Sequence, residues 1–147
     1  MKDNQALIVV DVQKDFLETG ALPVKDGSQV VPVINRISPK FKHVVFTQDW
    51  HPQGHISFAS SHSGEAPYST IDIPYGKQVL WPEHCVQNTT GAEFADGLNT
   101  ENGDCFVKKG AHSDIDSYSA FLEADRKTKT DLGVWLKSQG ITEVFVC

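Results

Sequence analysis

Between Thr47 and His55 the chain reads TQDWHPQGH, which sets one carboxylate and two imidazoles, Asp49, His51 and His55, close together. Asp49 and His51 are separated by one residue, and in an extended segment that spacing puts both side chains on the same side. A carboxylate oxygen with imidazole nitrogens is a ligand set that suits zinc, iron or manganese. A third ligand is needed. His84, in Leu80-Trp-Pro-Glu-His-Cys85, is the best candidate, because Pro82 stiffens that loop and Trp81 flanks it. His55 is a further candidate, as an extra ligand or as a group that orients one. Cys85 is either a fourth ligand or a small buried side chain. The competing reading of Asp-x-His is that these groups simply cap and bridge loops. His62 and His112 fall in polar loops and are expected to be solvated, and His43 opens a strand, where a structural role is expected.

Asp11 and Lys109 need a separate account. Asp11 emerges directly from an apolar run, where an unpaired charge is costly. It needs a partner, and Lys109 can supply one. Read structurally, this is an ion pair. Read chemically, an Asp and a Lys held together at a pocket can lower the pKa of a thiol and shuttle a proton.

These residues must be positioned by regular elements. Ala6-Leu-Ile-Val-Val10 is a continuous apolar run rich in β-branched residues, predicting a strand buried on both faces. His43-Val-Val-Phe-Thr47 and Glu143-Val-Phe-Val-Cys147 read the same way, with Asp104-Cys-Phe-Val-Lys108 as a fourth, weaker strand. Ser28 to Ile37 is predicted helical, with Val30, Ile34 and Ile37 on one face, Ser28 as the cap and Pro32 in the first turns. Thr128 to Ser138 is a second helix, with Leu132, Trp135 and Leu136 sharing a face and Gly140 as a stop. Ser57 to Thr70 reads as a long surface loop. The alternation predicts one α/β domain over residues 1–147, a three-layer α/β/α Rossmann-like arrangement with a mostly parallel sheet. Ligands in such sheets collect beyond the carboxyl ends of the strands. Asp11, Asp49, His51, Lys108 and Lys109 all follow or end predicted strands, so all are expected at one sheet edge.

Composition narrows the function. The chain has 147 residues and a formal net charge of −6, with no basic cluster that would favour a nucleic acid. Its longest wholly apolar run is too short to span a bilayer or serve as a secretory signal. Its three widely spaced cysteines argue for free thiols in a reducing, cytoplasmic compartment.

Four segments in order, Ala6-Leu-Ile-Val-Val-Asp-Val-Gln-Lys-Asp-Phe16, Gln48-Asp-Trp-His51, Trp81-Pro-Glu-His-Cys85, and Lys109-Gly110 with Asp116-Ser-Tyr-Ser-Ala-Phe121, closely resemble the nicotinamidases, within the isochorismatase-like cysteine hydrolases. The resemblance implies hydrolysis of nicotinamide to nicotinate and ammonia in NAD salvage, and action on pyrazinamide-like ring amides. It implies that Asp11 is the general base and acid, and that Lys109 is the charge favouring a thiolate. It implies one divalent metal, zinc foremost with iron or manganese as alternatives, on Asp49, His51 and His84, with His55 matching a position that reaches the metal in some members. Phe16, Leu22, Trp81 and Tyr118 match positions lining the ring pocket. In the family the metal accepts the pyridine nitrogen and positions the ring. A small-molecule substrate is the implied partner, and a homo-oligomer is compatible with it.

In this family the nucleophilic cysteine follows the strand that here reads Val144-Phe-Val-Cys147, in a turn that also forms the oxyanion hole. Cys147 matches the variable residue ahead of that turn, and Cys85 and Cys105 match no catalytic position. The expectation is a nicotinamidase whose nucleophile lies past Cys147 and whose fold is incomplete at the C-terminus. A chain of these 147 residues alone is expected to be inactive. The alternative is a non-catalytic fragment that binds metal and a pyridine ring. A plain α/β scaffold with incidental histidines is the non-enzymatic reading.

Overall fold

The computed structural model describes residues 2–147. Four parallel strands form the central sheet: β1 (Gln5–Val9), β2 (His43–Asp49), β5 (Cys105–Lys109) and β6 (Glu143–Val146), in the order β5-β2-β1-β6. A separate antiparallel hairpin, β3 (Thr70–Ile73) and β4 (Gly76–Val79), lies apart from it.

The apolar runs form strands here because both sheet faces are covered. Successive side chains of a strand point to opposite faces. Leu7 and Val9 join Val44, Phe46, Val31 and Ile34 under helix α1 (Val30–Ile37). Ala6 and Ile8 join Val45, Val107, Leu132 and Leu136 under helix α2 (Leu132–Ser138). The result is the three-layer α/β/α arrangement with a parallel sheet. β1 lies at the centre, and the chain moves outward from it to β2 and β5 and then back to β6. The crevice beside β1 is therefore the switch point at which such sheets gather ligands.

Several local expectations are corrected. Helix α1 begins at Val30, after a 3-10 turn over Gly27–Gln29, so Ser28 is not its cap; Ser28 instead donates its hydroxyl to Glu18. Val31 and Ile34 form the buried face of α1, while Val30 is exposed. Helix α2 is shorter than predicted because Thr128 is drawn into a turn by Asp125. Gly140 does end the α2 region, with a φ of 69° that suits glycine. The stretch from Ser57 to Thr70 is not wholly surface, since Ser57, Phe58 and Ala59 are buried. Phe58 packs against the site histidines His51, His55 and His84.

Candidate active site

The strand ends meet where the sheet topology predicts. Asp49 is the last residue of β2, and its register partner is Lys109, the last residue of β5. Asp11 follows β1 with a left-handed φ of 52°, and its backbone N–H is held by Thr47 of β2. The Asp11 carboxylate accepts the Thr47 hydroxyl at 2.6 Å and pairs with the Lys109 ammonium at 2.8 Å. Lys109 also donates to Asp49 and to the carbonyl of Ser117. Burial pulls the Lys109 ammonium toward neutrality, but the carboxylates of Asp49 and Asp11 more than offset this and hold it charged. Lys108 does not join the site; it lies over the Trp50 ring, with 3.6 Å from its nitrogen to the ring centroid.

Asp49, His51 and His84 present ligand atoms within 4.8 Å of one another, and all three side chains are buried. The Nε2 atoms of His51 and His84 each lie 3.8 Å from Oδ2 of Asp49. On the far side of each ring, Nδ1 meets a backbone carbonyl, that of Gly110 at 3.0 Å for His51 and that of Pro82 at 2.8 Å for His84. A carbonyl can only accept, so each Nδ1 carries the proton and each Nε2 offers a lone pair toward Asp49. Burial holds the His51 imidazole down at about 3, helped by the neighbouring His55 and His84, and burial lowers His84 as well. Both rings are therefore neutral donors, as metal ligation requires.

The charge balance points the same way. Asp11, Asp49 and Asp116 line the cavity, and Lys109 is its only Lys or Arg among the described residues. Burial pushes the Asp49 carboxyl up to about 7, a rise that Lys109 only partly counters and Asp11 adds to. A divalent cation among Asp49, His51 and His84 would supply the missing positive charge, so the residues present fit a metal.

His55 lies beside the cluster, and with His51 and Asp116 it forms a second buried group whose ligand atoms lie within 4.8 Å of one another. Its Nε2 donates to the Ile115 carbonyl and its Nδ1 accepts from the Ser57 hydroxyl, which leaves no free lone pair. It lies against the His51 ring, 4.3 Å between centroids, and steadies it. His62 is half-buried and bonded to the Ile56 carbonyl; His112 pairs with the buried Glu123; His43 packs edge-on against Trp135.

Phe16, Leu22, Trp81 and Tyr118 wall the same cavity of about 240 Å³ that Asp11, Asp49, His51, His84 and Lys109 open into. That is below the ~300–1,000 Å³ range of drug-sized pockets and suits one small ring compound. The Phe16 ring lies 5.6 Å from the His84 ring. The Tyr118 hydroxyl accepts from Trp81 Nε1 at 3.1 Å and from Gln78 Nε2 at 3.0 Å. Gln78, on β4, also donates to Asp116 at 2.7 Å, so the hairpin reaches the pocket wall.

Three contributors were not singled out from the sequence. Asp116 and Ser117 line the cavity. Gln13 is fully buried and pairs with both backbone groups of Asp49, accepting its N–H and donating to its carbonyl, each at 2.8 Å. The one clue to Gln13 is its place two residues beyond Asp11.

The three thiols sit differently. Cys105 begins β5, at the opposite sheet edge from Lys109. Cys85 is fully buried, and its thiol is pushed far up by burial and then by Asp49. Cys147 follows β6, and its carbonyl accepts the Val10 N–H. Burial raises all three thiols, the opposite of what a reactive thiolate needs.

A parallel α/β sheet with an acid–lysine pair and an Asp-His-His cluster at its carboxyl edge defines a hydrolase-type site, and the chain belongs to the isochorismatase-domain family, whose profile matches residues 5–147. A nicotinamidase of Acinetobacter baylyi is 51% identical over 144 residues, covering 98% of this chain and 67% of that protein. The solved structure of a nicotinamidase from Acinetobacter baumanii superposes with a TM-score of 0.97 at 50% identity, covering 99% of this chain and 70% of that one. A pyrazinamidase of Pyrococcus horikoshii, solved in complex with zinc, has a TM-score of 0.76 at 38% identity over 98% of this chain and 69% of that one.

Proposed function

We propose that this chain carries the binding and acid–base machinery of a metal-dependent amide hydrolase that converts nicotinamide to nicotinate and ammonia and accepts pyrazinamide-like ring amides. The observation that carries the reading is a single cavity lined by the Asp11–Lys109 pair, the Asp49-His51-His84 cluster and an aromatic wall. Nicotinate made there would feed the recycling of NAD.

Phe16 and Trp81 clamp the ring faces, with Leu22 and Tyr118 closing the sides. Held by Asp49, His51 and His84, a divalent ion, zinc foremost, would supply a coordination position for the ring nitrogen and so fix the ring. Asp11 takes the proton of the attacking thiol, the thiolate favoured by Lys109 attacks the amide carbonyl, and Asp11 passes that proton to the departing nitrogen, so that ammonia leaves and a thioester remains. Asp11 then takes a proton from the water that attacks the thioester, and the acid and the thiol are released.

The test is to incubate the purified, zinc-loaded chain with nicotinamide, with assays for binding, ammonia and a covalent adduct. Ammonia release with a thioester adduct supports full turnover. Nicotinamide binding without ammonia supports the reduced reading, a metal- and pyridine-binding unit that lacks a thiol in reach. No metal and no nicotinamide binding would overturn both.

A further inference from the structure

Asp15 is absent from the cavity lining, yet it grips several of the segments that form it. Its Oδ2 accepts the Cys85 N–H at 2.7 Å, and its Oδ1 accepts the Ala21 N–H at 3.2 Å. Its backbone carbonyl accepts the Leu22 N–H at 2.9 Å. The Cys85 N–H belongs to the peptide unit that directly follows His84. The Cys85 carbonyl in turn accepts the His51 N–H at 3.0 Å. Cys85 itself has a left-handed φ of 47°, which a residue with a side chain holds only when its surroundings fix it. Its N–H is fixed by Asp15 and its C=O by His51.

The Asp15 carboxylate reaches Cys85 across Gly91. A Cβ at Gly91 would fall on the Asp15 carboxylate itself, well inside contact distance. The backbone of Gly91 is in an ordinary conformation, so this glycine is required for space and not for φ.

We propose that Asp15 is a positioning residue that locks the His84–Cys85 peptide, and through it both imidazole ligands, to the loop carrying the ring walls Phe16 and Leu22. Gly91 is the notch that lets it do so. The inference rests on the metal reading given above. It assigns to this carboxylate the control of metal affinity at a distance from the metal, as groups that orient ligands characteristically do.

The experiment measures zinc affinity by competition with a chelator for the full chain, for Asp15→Ala, for Gly91→Ala and for the double variant. The unfolding midpoint of each in excess chelator reports the cost to the fold alone. Each single variant is expected to weaken zinc by about 10–100-fold. The double variant is expected to bind no more weakly than the poorer single one, because Gly91→Ala acts by displacing a carboxylate that Asp15→Ala has already removed. Should Asp15→Ala not fold, Gly91→Ala against the parent decides alone, since a swung-aside carboxylate leaves the rest of the packing in place. Unchanged zinc affinity in the single variants overturns the proposal, as does a double variant whose losses multiply. A parent chain that binds no zinc overturns the metal reading itself, and this inference with it.

Discussion

The Lys109 ammonium stands 2.8 Å from the Asp11 carboxylate, which ties the end of β5 to the residue after β1 across the intervening strand β2. Because Lys109 also donates to Asp49, one cation serves two carboxylates. Lys109→Met therefore leaves two buried negative groups unpaired and is expected to cost about 3–5 kcal/mol of stability. Asp11→Asn keeps the shape and the Thr47 contact, so its expected stability change is within about 1 kcal/mol, whereas ammonia release should fall by at least ~100-fold. Thermal unfolding and an ammonia assay on both variants separate the two effects.

His51→Ala and His84→Ala each remove one of three clustered donors, and stoichiometric metal should be lost, read by elemental analysis of protein purified without chelator. Gly110→Ala should do the same without touching a ligand. At Gly110 the φ is 62°, and a Cβ there would come within 2.5 Å of the His51 ring, so the ring must move. Full metal occupancy in Gly110→Ala would count against His51 as a ligand held in place by this turn.

Tyr118→Phe deletes a hydroxyl that accepts from both Gln78 and Trp81. With Trp81 released, the ring wall loosens, and a loss of about 1 kcal/mol in binding, some fivefold in KM, is expected with kcat nearly unchanged. A fall in kcat at constant KM would show that Tyr118 acts in the chemistry instead.

The metal-free chain should lose stability on acidification. Burial lowers His51 to about 3, and lowers His55 and His84 too, so as the pH falls below 6.5 the unfolded chain binds more protons at these groups. Their contribution is present above pH 6.5 and is lost as the pH falls. Asp49, raised to about 7, works the other way over the same range, because its folded form keeps a proton that the unfolded chain releases. Three imidazoles act against one carboxyl, so the net slope is expected to be positive. Urea unfolding at pH 7 and pH 5 in chelator measures it. Equal or greater stability at pH 5 would show that Asp49 dominates. Bound zinc should sharpen the loss, since protons compete for the same ligands.

The sheet was legible because Ala6 to Val9 and Val44 to Phe46 are buried on both faces, which writes an unbroken apolar run. The grouping of Asp49, His51 and His84 was legible because Asp-x-His at a strand end needs no distant information beyond His84. Other features depend on the tertiary setting. The hairpin Thr70–Val79 carries only a four-residue alternation, Thr70-Ile-Asp-Ile73, cut off by Pro74, which is too short to stand out as a strand. Ser28 resembled a helix cap, but Glu18, ten residues earlier, captures it. His55 shared the spacing of its neighbours, but Ser57 and Ile115 decide its role, and Ile115 is distant in sequence. Gln13 replaces ladder partners for Asp49 with its own side-chain amide, a role no residue pattern announces.

The reacting groups and ring walls of the proposed function are built on different kinds of scaffold. Asp49 and Lys109 end strands inside a close-packed sheet, where a small displacement would propagate through the core. Phe16, Leu22, Trp81 and Tyr118 ride on loops or short turns outside the sheet. Substitution in those loops can reshape the space around a ring while the Asp49–Lys109 pair stays fixed in the sheet. Changes of ring preference in the proposed reaction would therefore enter through these loops sooner than through the strand ends.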